Sequence, residues 1–229
     1  KMAKFSKIIR ESNEKRLIGK FIEIFKIKLN KKIKEFGRFA FVLAGGKSPI
    51  RLYKALNKTK NIEWESIDFF IGDERYVKEN SKYSNINLCK KYLFNNLKVQ
   101  SKQIFKITTN NKSIKKDTKN YQNKIKKYFL NKKISFDLIL LGIGNDGHIA
   151  SLFKNNIDKK NKNLVDHIKK DDFKRITLTI NCINNSNSIF LWAPGKRKSK
   201  IIKKILFDKN LKYPASYLKK NNNFLFHCN

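Results

Sequence analysis

The segment DLILLGIGNDGHIASLF, residues 137–153, decides the fold class. An apolar run leads into a glycine-rich turn and then into a second apolar stretch, which predicts a strand, a turn and a helix. Gly142, Gly144 and Gly147 match the G-x-G-x-x-G pattern of a dinucleotide-binding loop. Asp146 and His148 lie inside the same turn, and a pyrophosphate-binding loop requires neither of them. The turn is therefore either a dinucleotide site or a catalytic site.

The residues around this turn favour a catalytic site. A dinucleotide fingerprint needs an acidic residue about 20 positions on, at the end of the next strand. Asp166 lies 24 positions after Gly142, but NKNLVDHIKK does not predict a strand. Asp146 would also direct negative charge at a pyrophosphate. By contrast, His148 can accept a proton from water near neutral pH, and Asp146 can either orient its ring or contact the substrate.

Further apolar segments alternate with segments of helical periodicity. Strands are predicted at FAFVL (39–43), IDFFI (67–71), QIFKI (103–107), FDLILL (136–141), RITLTI (175–180), SIFLWA (188–193) and NFLF (223–226). Helices are predicted over 8–36, after residue 49, and over 84–97, 117–131 and 198–207. This alternation predicts an α/β fold that is modified Rossmann-like, with a mostly parallel sheet and helices on both faces. We expect a single domain over residues 1–229.

Four loops that carry glycine or charge directly follow apolar strands. They are AGGKSP (44–49), GDERYV (72–77), GIGNDGH (142–148) and APGKRK (193–198). In an open parallel sheet such loops emerge at the carboxyl edge, where ligands bind. We therefore expect residues that are far apart in the sequence to form one site.

The first of these loops has the features of an anion-binding turn. Gly45 and Gly46 allow the backbone to approach a ligand closely, and Ser48 can cap the following helix. Free N–H groups at such a turn favour a phosphate. An ordinary strand-to-helix turn with a good cap explains the same pattern, so the motif alone leaves both interpretations open.

The second loop places charged side chains at the end of a strand. Asp73 and Arg75 are candidate catalytic residues, and Arg75 could fix an oxyanion or a substrate oxygen. An internal ion pair is the alternative. The sequence shows no cluster of His, Cys and carboxylates, so no metal site is expected. The absence of G-x-S-x-G argues against a serine nucleophile.

The formal net charge of +35 raises the possibility of a nucleic-acid partner. However, the chain has 46 lysines and only 7 arginines, and arginine is favoured for planar recognition of phosphates and bases. The lysines are spread over the whole sequence, and asparagine and isoleucine, which share A/T-rich codons with lysine, are also abundant. We therefore expect no specific nucleic-acid site. The positive field should still attract an anionic substrate.

Location is predicted from the cysteines and the apolar segments. Cys89, Cys182 and Cys228 are scattered and odd in number, which favours a reducing intracellular compartment. No run of 18 apolar residues is present, and the first residues lack the apolar core of a secretory signal. We expect a cytoplasmic protein without a membrane segment.

In their order along the chain, these segments resemble the 6-phosphogluconolactonase family of the glucosamine-6-phosphate isomerase/6-phosphogluconolactonase superfamily. AGGKSP is similar to the family's sugar-phosphate loop, with Ser48 where threonine is common. GDERYV followed by Ser84–Asn85, and GIGNDGHIASLF, are similar to two further signatures. RITLT, Asn184 and GKRK, which includes Lys198, resemble the C-terminal pattern. The terminal NFLFHCN lacks the Trp and Asp that the resemblance leads us to expect. The sequence therefore does not establish whether a last strand forms there.

The resemblance implies hydrolysis of 6-phosphogluconolactone, a sugar-phosphate lactone, to 6-phosphogluconate in the oxidative pentose phosphate pathway. His148 would activate the water, and Arg75 or loop N–H groups would stabilise the oxyanion. The resemblance implies no cofactor and no metal, and we expect a monomer. Candidates for holding the phosphate or the sugar are Gly45, Gly46, Ser48, Gly144, Arg175 and Lys198.

Two alternative functions within this resemblance remain. The first is a deaminase/isomerase of the same superfamily that acts on amino-sugar phosphates and that would use Asp73 as its base. The second is a non-catalytic sugar-phosphate-binding protein. Deaminases resemble DEY at the second loop and AFNEP after the DGH turn, whereas this chain has Arg75 and ASLF (150–153) at those places. Lactonase activity is therefore expected.

Overall fold

The computed structural model describes residues 5–111, 113–130, 133–207, 213–219 and 223–229. The strands in these ranges are β1 (Lys7–Glu11), β2 (Phe39–Leu43), β3 (Ile67–Ile71), β4 (Asp73–Arg75), β5 (Ile104–Phe105), β6 (Leu138–Gly142), β7 (Val165–Lys170), β8 (Phe173–Leu178), β9 (Ile189–Ala193) and β10 (Asn223–Cys228). The α-helices are α1 (Glu14–Phe36), α2 (Ile50–Lys58), α3 (Asn85–Cys89), α4 (Ile114–Tyr128), α5 (Ile180–Asn184) and α6 (Ser199–Phe207).

A seven-stranded sheet forms the centre of the molecule, in the order β1-β10-β9-β6-β2-β3-β5. Every neighbouring pair in it is parallel. From β2 the chain builds outward through β3 to β5 on one side, and the later strands β6, β9 and β10 build outward on the other. The strand order thus reverses between β2 and β6, and ligands of open α/β sheets bind at the carboxyl end of such a crevice.

Adjacent residues of a strand point to opposite faces of the sheet, and here both faces carry apolar side chains. Helices therefore cover both faces. Phe21 and Phe25 of α1 pack against aromatic rings of β2, β9 and β10 on one face. On the opposite face, Phe70 of β3 packs edge-to-face on Tyr128 of α4, with ring centroids 5.0 Å apart. The strands are buried on both sides, and β2, β3 and β9 have no exposed residue. The predicted α/β fold is confirmed.

A second, three-stranded antiparallel sheet has the order β4-β8-β7. The segment RITLTI, predicted among the strands of a mostly parallel sheet, lies largely in β8 of this separate sheet. The segment VDHIKK was not predicted to be a strand, yet it forms β7. Only Val165 of β7 is buried, so this strand lacks the alternation of apolar residues that marks a strand in a sequence. It pairs with β8 in a hairpin and does not extend the parallel sheet.

Three further predictions about helices were wrong in part. The predicted helix over 8–36 begins at Glu14, where the Asn13 side chain accepts a hydrogen bond from the backbone of Arg16. The residues before it form β1, which pairs with β10. No helix follows His148: residues 149–152 make turns and one isolated bridge. The predicted helix over 84–97 is α-helical only in α3 and continues as a π-helix over Lys90–Phe94.

The last strand, whose presence the sequence did not establish, is present. β10 lies inside the main sheet between β1 and β9. Leu225 and Phe226 are fully buried there, so the pattern of apolar residues is kept although the terminal Trp and Asp of the family are absent.

Candidate active site

Loops that follow β2, β3, β6 and β9 line one cavity of about 220 Å³ at the carboxyl edge of the main sheet. This agrees with the prediction that the four loops converge, and the cavity lies at the reversal between β2 and β6. Nine of the ten predicted site residues line it: Gly45, Gly46, Ser48, Asp73, Arg75, Gly144, His148, Arg175 and Lys198. Asp146, the tenth, lines a neighbouring cavity and reaches the site through its contact with His148.

His148 and Asp146 form a hydrogen-bonded pair within one turn. The Nδ1 atom of His148 lies 2.6 Å from Oδ1 of Asp146, and the same oxygen accepts a 3.3 Å hydrogen bond from the His148 backbone. Burial opposes ionisation of Asp146, but the hydrogen bond and the charge of His148 lower its pKa overall. An ionised Asp146 holds the proton on Nδ1, which leaves Nε2 of the imidazole as the basic nitrogen.

Two glycines give this turn its shape. The backbone of Gly144 donates to the His148 carbonyl at 2.8 Å, and Gly147 donates to the Gly144 carbonyl at 3.0 Å. A Cβ atom at Gly144 would overlap the His148 ring and the Asp146 carboxylate. Gly147 has a φ of 82°, and its carbonyl accepts a 3.0 Å hydrogen bond from Ala215. Gly144 and Gly147 therefore place the histidine, and Gly144, a predicted substrate-binding residue, also lines the cavity.

Phe153 supports both the histidine and a nearby cation. Its ring lies 4.6 Å from the His148 ring, centroid to centroid, and its centroid lies 5.6 Å from the guanidinium carbon of Arg175. Sequence reasoning did not select Phe153, because a phenylalanine in an apolar segment is ordinarily a core residue. The signal in the sequence is its place at the end of GIGNDGHIASLF, five positions after His148.

Arg75 and Arg175 are directly opposite each other on the antiparallel strands β4 and β8. The Nε atoms of both side chains are buried without a hydrogen-bond partner among the described residues. Burial, and then the charge of Arg75, lower the pKa of Arg175. Like charges placed directly opposite each other across a sheet destabilise it. The pair therefore favours an anion in the cavity, which would neutralise the charge and satisfy the donors.

Asp73 is buried beside these arginines, and both of its carboxylate oxygens have partners. Its Oδ2 accepts a 2.7 Å hydrogen bond from the hydroxyl of Ser151, and its Oδ1 lies 3.4 Å from Nδ2 of Asn85. Ser151 is itself fully buried, and its backbone donates to Thr177 at 3.2 Å. Asp73 is thus held in place by neutral donors, and the ASLF segment supplies one of them.

Glu74 ties β4 to the start of α3. Its Oε1 accepts from the backbone N–H groups of Arg75 at 2.9 Å and Asn85 at 2.7 Å. Its Oε2 accepts from the backbone of Ile86 at 2.9 Å and from the Ser84 hydroxyl at 3.1 Å. Burial raises the pKa of Glu74 to about 7, and the backbone donors oppose this rise. Sequence reasoning placed Glu74 at the strand end but did not assign it this structural role.

The loop after β2 differs from the sequence expectation in one respect. Ser48 does not cap α2: Pro49 occupies the cap position, and no side chain makes the capping hydrogen bond. The Ser48 carbonyl instead accepts a 3.1 Å hydrogen bond from Nε1 of Trp192 on β9. Across the cavity, Lys198 donates to the side chain of Asn145 at 3.0 Å, and burial lowers the pKa of Lys198.

The described residues contain no group of three or more His, Cys, Asp or Glu side chains that could hold a metal ion. None of their helices is long and apolar enough to cross a membrane.

Comparison with known proteins gives consistent matches over most of the chain. The family model for glucosamine-6-phosphate isomerases/6-phosphogluconolactonase matches residues 12–226. A 6-phosphogluconolactonase from Chlamydia pneumoniae is 33% identical over 208 residues, which cover 86% of this chain and 77% of that protein. One from Thermotoga maritima is 33% identical over 202 residues, which cover 86% of this chain and 87% of that protein.

Solved structures extend this agreement to the fold. The crystal structure of 6-phosphogluconolactonase from Thermotoga maritima has a TM-score of 0.86 at 29% identity and covers 98% of this chain and 99% of its own. The 6-phosphogluconolactonase from Plasmodium vivax has a TM-score of 0.84 at 28% identity and covers 96% and 89%. With its ordered motifs, its cavity and these matches taken together, the chain belongs to the glucosamine-6-phosphate isomerase/6-phosphogluconolactonase family.

Proposed function

We propose that this protein hydrolyses 6-phospho-D-glucono-1,5-lactone to 6-phosphogluconate, the lactonase step of the oxidative pentose phosphate pathway. Relatives that bear the lactonase name are 33% identical over most of the chain. The single observation that carries the proposal is the hydrogen-bonded His148–Asp146 pair beside a cavity that also contains two arginines whose Nε atoms have no hydrogen-bond partner among the described residues. This arrangement supplies a base for water and cations for an anionic substrate.

His148 is the general base in this proposal. A lactone is a cyclic ester, and its hydrolysis requires a water that loses a proton as it attacks the carbonyl carbon C1. Nε2 of His148 takes that proton. Asp146 orients the ring and stabilises the imidazolium that forms, which is the role of the acidic residue in a Ser-His-Asp triad.

The attack places a negative charge on the former carbonyl oxygen. Arg75, whose Nε has no partner among the described residues, is the candidate to stabilise this oxyanion, because cationic donors held in place before the reaction stabilise a charge that develops in it. Collapse of the tetrahedral intermediate breaks the bond from C1 to the ring oxygen. The imidazolium of His148 returns its proton to that oxygen, which becomes the free hydroxyl of the open-chain acid.

The substrate phosphate binds at the cationic wall of the cavity. Arg175 and Lys198 supply charge, and the loop of Gly45, Gly46 and Ser48 supplies a close backbone surface. Burial lowers the pKa of both cations, so a dianionic phosphate is a favourable neighbour for them. The reaction needs no cofactor and no metal ion.

The residues that line the cavity lie between Leu43 and Lys198 of the chain. We propose that the protein acts as a monomer and as one domain over residues 1–229. We also propose that it works in the cytoplasm and has no specific nucleic-acid partner.

A coupled assay tests the function directly. Freshly prepared lactone is offered to the purified protein, and hydrolysis is compared with the spontaneous background. The same preparation is then offered glucosamine 6-phosphate, with ammonia release as the readout. We expect acceleration of lactone hydrolysis and no ammonia. Ammonia release without lactone hydrolysis would identify the deaminase/isomerase alternative and would make Asp73 the base to study.

A further inference from the structure

We propose that Asn85 is a positioning residue for the lactonase reaction, and that it sets the place of the Arg75 guanidinium and of the glycine loop after β2. The inference rests on the proposed function. It concerns a residue that lies at the N-terminus of α3 and that has no titratable group of its own. Asn85 acts through its neighbours, and no step of the reaction is assigned to it.

The side chain of Asn85 connects three parts of the site. Its Oδ1 accepts a 3.0 Å hydrogen bond from Nη1 of Arg75 and a 3.3 Å hydrogen bond from the backbone of Gly46. Its Nδ2 donates to the backbone carbonyl of Asp73 at 2.6 Å. Asn85 is 1% exposed, so these contacts are shielded from water. One buried amide therefore joins the loop after β2 to both candidate residues on β4.

Arg75 needs such an anchor because of the charge opposite it. Arg175 is its direct cross-strand partner, and repulsion between the two guanidinium groups favours their separation. Arg75 has one other anchor among the described residues, a 2.9 Å hydrogen bond from Nη1 to the Tyr83 carbonyl. A free arginine side chain also loses rotamer entropy when it is fixed. Asn85 provides the second anchor that holds the cation towards the cavity.

An asparagine is the side chain that this place requires. The position needs one acceptor, for Arg75 and Gly46, and one donor, for the Asp73 carbonyl, and an amide supplies both. The adjacent Gly45 has no Cβ, and a Cβ there would overlap the Asn85 amide. The glycine at position 45 and the asparagine at position 85 therefore fit each other sterically, which gives the glycine a structural reason besides phosphate binding.

Ser84 offers a matched control on the same turn. It is also buried, donates to Glu74 at 3.1 Å, and accepts the capping hydrogen bond from the Asn87 backbone at 3.2 Å. Its side chain has no recorded contact with Arg75 or Gly46 in the described structure. Ser84→Ala should thus weaken the cap of α3 but leave the hydrogen bonds of Asn85 in place.

The test is a double-mutant cycle on lactone hydrolysis. Asn85→Ala, Arg75→Ala and the double variant are compared with the wild type, and Ser84→Ala is the control. We expect Asn85→Ala to lower kcat/KM on the order of 10²-fold, the usual effect of a small displacement in a site, mainly through kcat. In the Arg75→Ala background, Asn85→Ala should lower kcat/KM by less than about threefold. The effects of the two mutations are not additive when one residue acts through the other. Ser84→Ala should keep wild-type kcat.

Several results would overturn the inference. One is wild-type kcat/KM in folded Asn85→Ala. A second is an equal cost of that change with and without Arg75, and a third is an equal loss of kcat in Ser84→Ala. If Asn85→Ala does not fold, Asn85→Ser replaces it, because a serine side chain is too short for its oxygen to reach the guanidinium. The same outcomes then apply to Asn85→Ser. Failure of the wild type to accelerate lactone hydrolysis would instead contradict the proposed function, so the two failures are distinguishable.

Discussion

At the scale of single residues, the proposed chemistry depends on a turn in which Asp146 and His148 are two positions apart. The short spacing lets one carboxylate oxygen contact both the ring and the backbone of the histidine. A base held in this way keeps one tautomer and one orientation, so little reorganisation is needed during the reaction. The glycines around the pair allow the chain to fold this closely.

Replacement of the base is the first prediction at this scale. His148→Asn should fold normally and lower kcat by about 10²- to 10⁴-fold, the usual contribution of a general base. Steady-state kinetics with freshly made lactone measure the effect. His167→Asn is the control, because His167 lies on β7 and is not among the described residues that line the cavity. A folded His148→Asn protein with near wild-type kcat would show that another group is the base.

Gly147 provides a second prediction. Gly147→Ala puts a Cβ 2.8 Å from Cβ of Tyr213 at a φ of 82°, which side chains rarely adopt. We expect a loss of about 2 kcal/mol in the free energy of unfolding and a lower kcat, because the catalytic turn must shift. Gly19→Ala, in α1 with open space around it, should instead raise stability by up to about 1 kcal/mol. Urea denaturation measures the free energy of unfolding of both variants. Equal changes in the two variants would contradict the predicted strain at Gly147.

At the scale of elements, Glu74 accepts four hydrogen bonds at the junction between β4 and α3. The folded protein raises the pKa of Glu74 from 4.5 to about 7, so it binds a proton that the unfolded chain has released. The stability that this carboxyl contributes is present below pH 4.5 and is lost as the pH rises through about 7. The difference corresponds to about 3 kcal/mol of unfolding free energy.

The prediction that follows concerns the slope of stability against pH. Between about pH 5 and pH 8, the free energy of unfolding of the wild type should fall more steeply than that of Glu74→Gln, which cannot titrate. Urea denaturation at a series of pH values measures both slopes, and each protein serves as its own reference. Parallel curves for the two proteins would mean that Glu74 does not titrate in this range.

Prediction from sequence succeeded for most strands of the parallel sheet, but it missed β1 and the second sheet. The four loops could be placed together because the carboxyl ends of parallel strands meet at one edge. The second sheet was missed because β7 is largely polar and has one buried residue, Val165, so it lacks an alternation of apolar residues. The absence of a helix after His148 was missed because Ile149 and Leu152 are spaced like residues of a helix face but form a bridge.

Some of the site residues were also beyond sequence reasoning. Asn85 and Phe153 lie in segments that resemble family signatures, but the sequence assigned neither of them a role, because their roles come from contacts with other parts of the chain. Charged residues at strand ends, such as Arg75, could be selected because burial of a charge needs a reason. A buried amide or a half-buried ring carries no charge, so the sequence does not mark it in this way.

At the scale of the whole molecule, contacts with the substrate phosphate should help to stabilise the transition state at the reacting carbon, C1. Removal of the phosphate from the substrate should lower kcat/KM by about 10²-fold or more, as expected for the loss of charge-assisted hydrogen bonds. Gluconolactone with and without the phosphate is compared at equal concentrations. Lys198→Ala should lower kcat/KM for the phosphorylated lactone only. Comparable values for both lactones with the wild type would contradict a phosphate site.

The charge of +35 belongs to this scale as well. Binding to DNA should be weak and indifferent to sequence, and it should disappear near physiological salt because counterion release drives it. Fluorescence anisotropy with two unrelated duplexes over a salt series measures this. Nanomolar affinity for one duplex at physiological salt would point to a specific nucleic-acid partner.

The position of β10 between β1 and β9 affects how the chain can fold as it is synthesised. β1 precedes its partner strand by more than 200 residues, as the hydrogen bond from Ser6 to Asn223 shows with a separation of 217 positions. During synthesis β2, β3 and β6 leave the ribosome before β10 is made, so β1 then has no strand to pair with. β1 is therefore among the last of the described strands to dock, and until then Ile9, which is buried in the folded protein, stays exposed.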